Sequence, residues 1–478
     1  MTSPDRLRQI TFLPEPKGPP SVPIAQRGRP ALMPLPGGDL GAAREIDEVP
    51  PTSRLLTKQE PIDVAIEPDA VSIDAARAAP APIAEFYKSV VFACADRIAM
   101  LARRRDERPL HDRPRAEERL LAQIDAILAC GPGAIRDLEA YWHARRDDEE
   151  PYRIWPIVFT LASLDGPSAL LAIEHVIESL PLDALGRASC AADCIAASPH
   201  PHWMPLALDL LASPHPLARV VGIEVLSRRQ SFSPGQADEH LEDPSPVVIA
   251  AAIRALARHP DAALPSPLIT ACLASNDPAI AAEAARALTL LGSREPYQAL
   301  RTGGALGRVL APLEQIEIVA LAGSLDDVPL VQSILGRARV TPAILRAIGR
   351  LGSAGTWSFL VHYLADSDLA RVAQEALETV FGELVPGGKE GRVPAAWREA
   401  IAQKDLDPAT RYRRGLPWSP ATVVTECQSG ALPRTEVDRR VDELRARTSR
   451  FHTLNTEVFW PDLEPSLVGL ARVHGGAS

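Results

Sequence analysis

Residues 276–292 read NDPAIAAEAARALTLLG. Proline in a first helical turn forgoes an N–H that has no intrahelical partner, so Pro278 marks a helix start. Asp277 just before it is placed to cap the free donors of that turn. Beyond them Ile280, Ala284, Ala287, Leu288 and Leu291 keep helical phase, and Gly292 is a stop. The same start, length and stop recur in SPHPLARVVGIEVLSRR from Ser213, DPSPVVIAAAIRALARHP from Asp243, APLEQIEIVALAGS from Ala311 and TPAILRAIGRLGS from Thr341. Their opening prolines, Pro216, Pro246, Pro278, Pro312 and Pro342, follow at steps of 30, 32, 34 and 30 residues.

A shorter apolar stretch completes each unit, as in SPLITACLAS from Ser266, VPLVQSILGRA from Val328 and TWSFLVHYLAD from Thr356. Helix, turn and helix in roughly 31 residues is the signature of an α-solenoid, in which each pair buries its apolar face only against its neighbours. YRIWPIVFTLASLDGPSALLAIEHVIESL from Tyr152 and ARVAQEALETVFGEL from Ala370 extend the series at either end. The DP start followed by an Ala-rich helix resembles a HEAT or HEAT-like repeat. The expected fold is therefore all-α, a HEAT-like α-α superhelix or solenoid over residues 149–386.

Residues 1–82 hold 15 of the 46 prolines and show no apolar period, so a disordered Pro-rich arm is expected there. Residues 83–148 form a helical N-terminal module. Phe86, Val90, Val91, Cys94 and Ile98 give it an amphipathic helix closed by Arg103, Arg104 and Arg105, whose charges suit a helix C-terminus. A second helix carries Leu120, Leu121, Ile124, Ile127 and Leu128, and a third carries Ile135, Leu138 and Trp142. After Glu383 the repeat lapses, and residues 387–478 read as a helical C-terminal cap region with helices near 394–403 and 434–448.

The net charge of −10 divides unevenly: residues 120–386 contain 31 acids against 19 bases, and residues 387–450 contain 9 against 13. An acidic array suits a basic or polar protein segment and argues against a nucleic-acid partner. No stretch has the roughly 18 apolar residues of a membrane span. The first residues lack the apolar core of a secretory signal. The six cysteines show no CxxC pair, so unpaired thiols in a reducing compartment, and a cytoplasmic location, are expected.

No chemistry-bearing motif stands out. Cys190 and Cys194 share a helix face in ASCAADCIAA, and His200 and His202 flank a Pro-rich turn beside Trp203, but neither pair completes a metal set. Phosphate-loop, nucleophile-elbow and HExxH patterns are absent. No cofactor, metal or catalytic residue is expected. The candidate partner-binding residues are Arg411, Arg413, Arg414 and Trp418, in RYRRGLPWSP from Arg411. Their guanidinium groups suit a partner carboxylate or phosphate. The competing reading makes Leu416 and Trp418 a loop anchor with wet arginines.

RYRRGLPW, RRVDELRARTSRFH from Arg439 and the opening helices also resemble an uncharacterised bacterial HEAT-repeat family often encoded in type VI secretion gene clusters. The likeness covers residues 85 to about 470. It implies a cytoplasmic accessory role, as a non-enzymatic scaffold or adaptor that binds protein partners, secretion-system components among them. The alternative is an enzyme, by analogy with HEAT-like lyases acting on bilin chromophores, with Cys190, Cys194 or Cys272 as its reactive group.

Overall fold

A computed structural model of the chain describes residues 81–474 apart from 132, 147, 165, 260–266, 405, 450–453, 455 and 457. The stretch expected to be a disordered arm lies outside the described residues as far as residue 80. The described residues contain 23 α-helices and one short hairpin, an all-α, HEAT-like helical-repeat fold. They divide into two compact units. The first runs to Arg229 and includes Glu457–Leu463; the second comprises Gln230–Thr456 and the chain from Glu464 onward.

In the first unit, helix α1 (Ala81–Glu107) packs against α2 (Arg113–Ala129), α3 (Ala134–Arg145) and α4 (Trp155–Leu161). The chain continues through α5 (Pro167–Glu178), α6 (Leu185–Ala197), α7 (Trp203–Ala212) and α8 (Pro216–Arg228). Helices α4, α6 and α8 pack in succession, while α5 and α7 lie against them and touch each other. Two details of α1 differ from the sequence reading. Phe86 is 54% exposed, because it lies a helical turn's quarter away from the buried face of Tyr87, Val91, Cys94 and Ile98. The arginine run is also split. Arg103 and Arg104 are exposed, while Arg105 is buried with its Nε 2.8 Å from Glu117 and its guanidinium over the rings of Trp155 and Phe459. Arg113 joins the same carboxylate at 2.7 Å, and both arginines donate to the Val458 carbonyl. A buried Arg–Glu–Arg triad thus fixes the late segment around Val458 in this unit.

The second unit contains α9 (Pro234–Leu241), α10 (Pro246–Arg258), α11 (Pro267–Cys272), α12 (Pro278–Leu290), α13 (Glu295–Arg301), α14 (Leu306–Val309), α15 (Pro312–Ala322), α16 (Val328–Leu335), α17 (Pro342–Leu351), α18 (Trp357–His362), α19 (Ala370–Phe381) and α20 (Pro394–Ala402). Each of the five periodic prolines is the first residue of its helix. Asp277 accepts from Ala279 N and Ile280 N, and Thr341 from Ile344 N. Ser245 makes no such bond with its side chain. Helices α10, α12, α15, α17 and α19 form a ladder in which each packs on the next. The rungs approach closely: a Cβ at Gly349 in α17 would stand 3.0 Å from Ala376 Cα in α19. Ile344, Leu345, Ile348 and Leu351 are buried, as their phase predicts.

Candidate partner-binding surfaces

The arginine-rich string forms a two-stranded hairpin, β1 (Tyr412–Arg413) with β2 (Leu416–Pro417). Arg414 and Gly415 turn it, both at positive φ, 49° and 77°. This is the backbone of a type I′ turn, whose twist matches that of the paired strands. It leads into α21 (Pro420–Gln428), α22 (Arg434–Thr448) and α23 (Trp460–His474). Ser419 opens α21 with a capping box, a signal the sequence carries in SPAT but that the sequence reading passed over.

The hairpin is seated on helix ends. The last carbonyls of a helix lack intrahelical donors and carry the negative end of its dipole. Arg414 N and Gly415 N donate to Thr379 O and Val380 O of α19, each at 2.8 Å, and Tyr412 N donates to Gly352 O after α17, also at 2.8 Å. Gly352 sits at φ 69°, a left-handed turn that frees this carbonyl, and a Cβ there would strike Tyr412 O at 2.7 Å. Arg411 extends its guanidinium further, to Leu351 O of α17 and to Gly323 O after α15. Helix α22 continues the pattern along the ladder. It packs on α12, α15 and α21, with Arg447 donating to Ala320 O of α15 and Arg445 to Ala257 O of α10. The C-terminal region is helical, as expected, and it touches all five rungs of the ladder rather than only the last.

Beneath the hairpin lies a buried ionic network. Arg413 and Glu443 are each about 1% exposed and pair directly. Glu443 also accepts from Trp418 Nε1 at 2.7 Å, and Arg447 lies 5.6 Å over the Trp418 ring. Arg440 pairs with Glu426 at 2.9 Å and with Glu436 at 3.4 Å. Burial alone would raise the Glu443 carboxyl, but Arg413, Arg447 and Arg440 hold it below the usual range. Burial, reinforced by Arg447, lowers Arg411 to about 9, and burial lowers Arg447 to about 10, so both stay charged at neutral pH. Of the four candidate residues, Arg411, Arg413 and Trp418 make their polar contacts inside the unit. Arg414 stands outermost, 41% exposed and paired with Glu383. Leu416 beside it is 58% exposed.

The thiols and imidazoles of the first unit are enclosed. Cys190 and Cys194 are buried on α6, and burial pushes the Cys194 thiol well above its ordinary value. In the second unit Cys272 is half-buried, and its thiol is raised by the same cause. His200 is buried, with Nδ1 accepting from His202 N at 3.1 Å. Among the described residues no three His, Cys, Asp or Glu side chains converge as a metal site, and no helix is long and apolar enough to cross a membrane.

The sequence reading did not single out a second surface. Eleven large apolar side chains stand exposed among the described residues, and five of them lie within 38 residues of the first unit: Leu171 on α5, Leu182 and Leu185 after it, and Met204 and Leu208 on α7. Residues 167–184 and 201–213 contain Glu174, Glu178, Asp183 and Asp209 but no Lys or Arg. Two touching helices thus carry exposed apolar side chains and, within these segments, acidic charge alone, with Arg229 stacked over Trp203 at one end of α7 and Arg219 on the Ser213 carbonyl at the other. The signal was available as WMPLALDLLA, where Met204 and Leu208, four residues apart, keep helical phase away from buried Leu206 and Leu210, while Leu211 packs on Gly222 of α8.

A family model for HEAT repeats matches residues 237–305, which span α10 to α13 and the end of α9. No match was found among curated proteins or among solved structures. Ladder and family match together define a HEAT-like helical-repeat protein.

Proposed function

We propose that the chain is a non-enzymatic protein-binding scaffold or adaptor whose principal docking face lies on α5 and α7. The observation that carries this reading is the concentration of exposed Leu171, Leu182, Leu185, Met204 and Leu208 on adjacent elements. Contiguous exposed apolar surface costs solubility unless a partner covers it. HEAT repeats generally mediate protein–protein contacts, which supports the same conclusion. Arg411, Arg413 and Trp418 serve the partner indirectly, by holding the hairpin that presents Arg414 and Leu416. The buried thiols support a non-enzymatic reading, since burial favours the protonated and less nucleophilic form.

The partner belongs to a cytoplasmic type VI secretion assembly in this reading, on the likeness carried by Arg411–Trp418 and residues 439–452. The test is capture from the native host with tagged wild type and with Leu171→Asp/Leu208→Asp. A stoichiometric protein retained by the wild type and lost by the folded variant supports the docking face, and equal retention refutes it. Recovery of contractile-sheath or baseplate components identifies the secretion role.

A further inference from the structure

The exposed side of α1 has the opposite character to the α5/α7 face. Phe86, Ala93, Arg97, Met100, Arg104 and Arg108 are exposed along one stripe, with the last five at steps of 4, 3, 4 and 4 residues. Phe86 is 54% and Met100 44% exposed. Arg97, Arg104 and Arg108 have no ion-pair partner among the described residues. The acidic residues beside the stripe are already paired, Glu107 with Arg103 at 2.9 Å and Asp96 with Arg153 and Tyr141, and the stripe runs for ~33 Å at 1.5 Å per residue.

We propose that the occupant of the acidic α5/α7 face is the basic α1 stripe of a second copy of this chain. The inference rests on the docking face proposed above and names its partner. Each face joins large apolar side chains to an excess of one charge, Arg97, Arg104 and Arg108 on α1 against Asp183 and Asp209 on the other, and the signs are opposite. Packing them together buries Phe86 and Met100 with Leu171, Leu182, Met204 and Leu208. It also sets Arg97, Arg104 and Arg108 near Asp183 and Asp209. An amphipathic helix laid against an apolar face is a common recognition geometry, and charge complementarity fixes its register. The net charge of −10 opposes association only through a field that decays over ~8 Å at physiological salt. The contact joins two different surfaces, so it is heterologous: the pair keeps one free face of each kind, and growth continues into a ring or an open filament. A scaffold of this kind repeats its remaining exposed surface, the hairpin tip of Arg414 and Leu416, once per copy.

The test is the mass in solution of the full chain, by sedimentation or light scattering, from about 1 to 100 μM at low and high salt. The expected result is a mass that rises past two copies with concentration and falls at least tenfold in apparent affinity at high salt. Arg97→Glu/Arg104→Glu and Asp183→Arg/Asp209→Arg, all exposed positions, are each expected to be monomeric alone. Mixed, they join opposite signs at both junctions, the native one and its charge-swapped counterpart, and the mass is expected to grow past two copies again. A wild type that stays monomeric throughout, or charge reversals that leave association unchanged, overturns the proposal. If Leu171→Asp/Leu208→Asp loses a host partner while the wild type remains monomeric, the docking face stands and only its assignment to a second copy falls.

Discussion

Arg411 donates from Nη2 to the main-chain oxygen of Gly323, 3.0 Å away and 88 residues earlier, while its Nη1 serves Leu351. One planar guanidinium thereby closes the ends of two successive rungs, α15 and α17. Both carbonyls lie where the helix dipole favours a cation. A lysine ammonium is a point charge and lacks the fork that reaches two oxygens at once.

Arg411→Ala is therefore expected to destabilise the second unit by about 1–3 kcal/mol, the cost of leaving buried acceptors unsatisfied. Arg411→Lys is expected to recover less than half of that loss. Urea unfolding of the three proteins measures both, and full recovery by lysine would show that charge alone matters.

Removing one partner from a buried ion pair strands the other. Glu443→Gln keeps a hydrogen-bond acceptor for Trp418 but removes the nearer of Arg413's two carboxylates, leaving only Glu426 at 3.9 Å, so a loss of up to about 3–5 kcal/mol is expected. Arg414→Ala, at the exposed tip, should change stability by no more than about 0.5 kcal/mol. The contrast between the two in thermal unfolding checks the placement of the network.

The same carboxylates set an acid limit. Glu443 and Glu436 are held below the usual glutamate value of 4.5 by their guanidinium neighbours. Near that pH the unfolded chain binds more protons than the folded one. Their contribution is therefore fully present above about 4.5 and is lost as pH falls through the lower folded values. Unfolding free energy followed from pH 6 to pH 3 should fall steeply below 4.5, and Glu443→Gln should flatten the fall.

Prolines made the ladder legible. Each of Pro216, Pro246, Pro278, Pro312 and Pro342 fixes φ at a first turn, a purely local constraint, and each proved to be a helix start. The burial of Ile344, Leu345, Ile348 and Leu351 followed from phase alone. The arrangement around RYRRG did not, because a guanidinium's partner is a helix end brought near only by tertiary packing. Arg411 and Gly323 are as far apart in sequence as nearly three repeats. Nothing local marks Arg413 as buried and Arg414 as exposed. The α5/α7 face was half legible: its one-sided charge is a sequence property, but that both helices turn their leucines outward depends on what covers their other sides.

Small residues set the rung spacing. Gly349→Val should cost about 1–3 kcal/mol, since its Cβ would meet Ala376 of α19 at 3.0–3.1 Å and α17 would have to shift. Gly235 in α9 has open space around its Cβ position. Gly235→Ala is expected to stabilise by up to about 1 kcal/mol through helix propensity alone. Melting temperatures of the two variants, moving in opposite directions, check the close approach.

Thiol reactivity bears on the enzymatic alternative. Five cysteines are buried and Cys272 is half-buried. Burial lifts Cys427 to about 12 and Cys194 well above its ordinary value. Alkylation of the native chain at pH 7.5, mapped by mass spectrometry, should mark Cys272 first and leave Cys194 and Cys427 unmodified until unfolding. Rapid modification of Cys194 would revive the lyase reading.

A photo-crosslinking residue placed at Leu208, with a second placed at Leu416 for comparison, addresses the docking face most directly when the full chain is irradiated in its native host. Leu208 on α7 is expected to give a discrete adduct to another polypeptide, a second copy of the chain included, and Asp183→Arg/Asp209→Arg should abolish it. No adduct at 208 alongside a strong one at 416 would contradict the assignment and move the docking surface to the arginine hairpin.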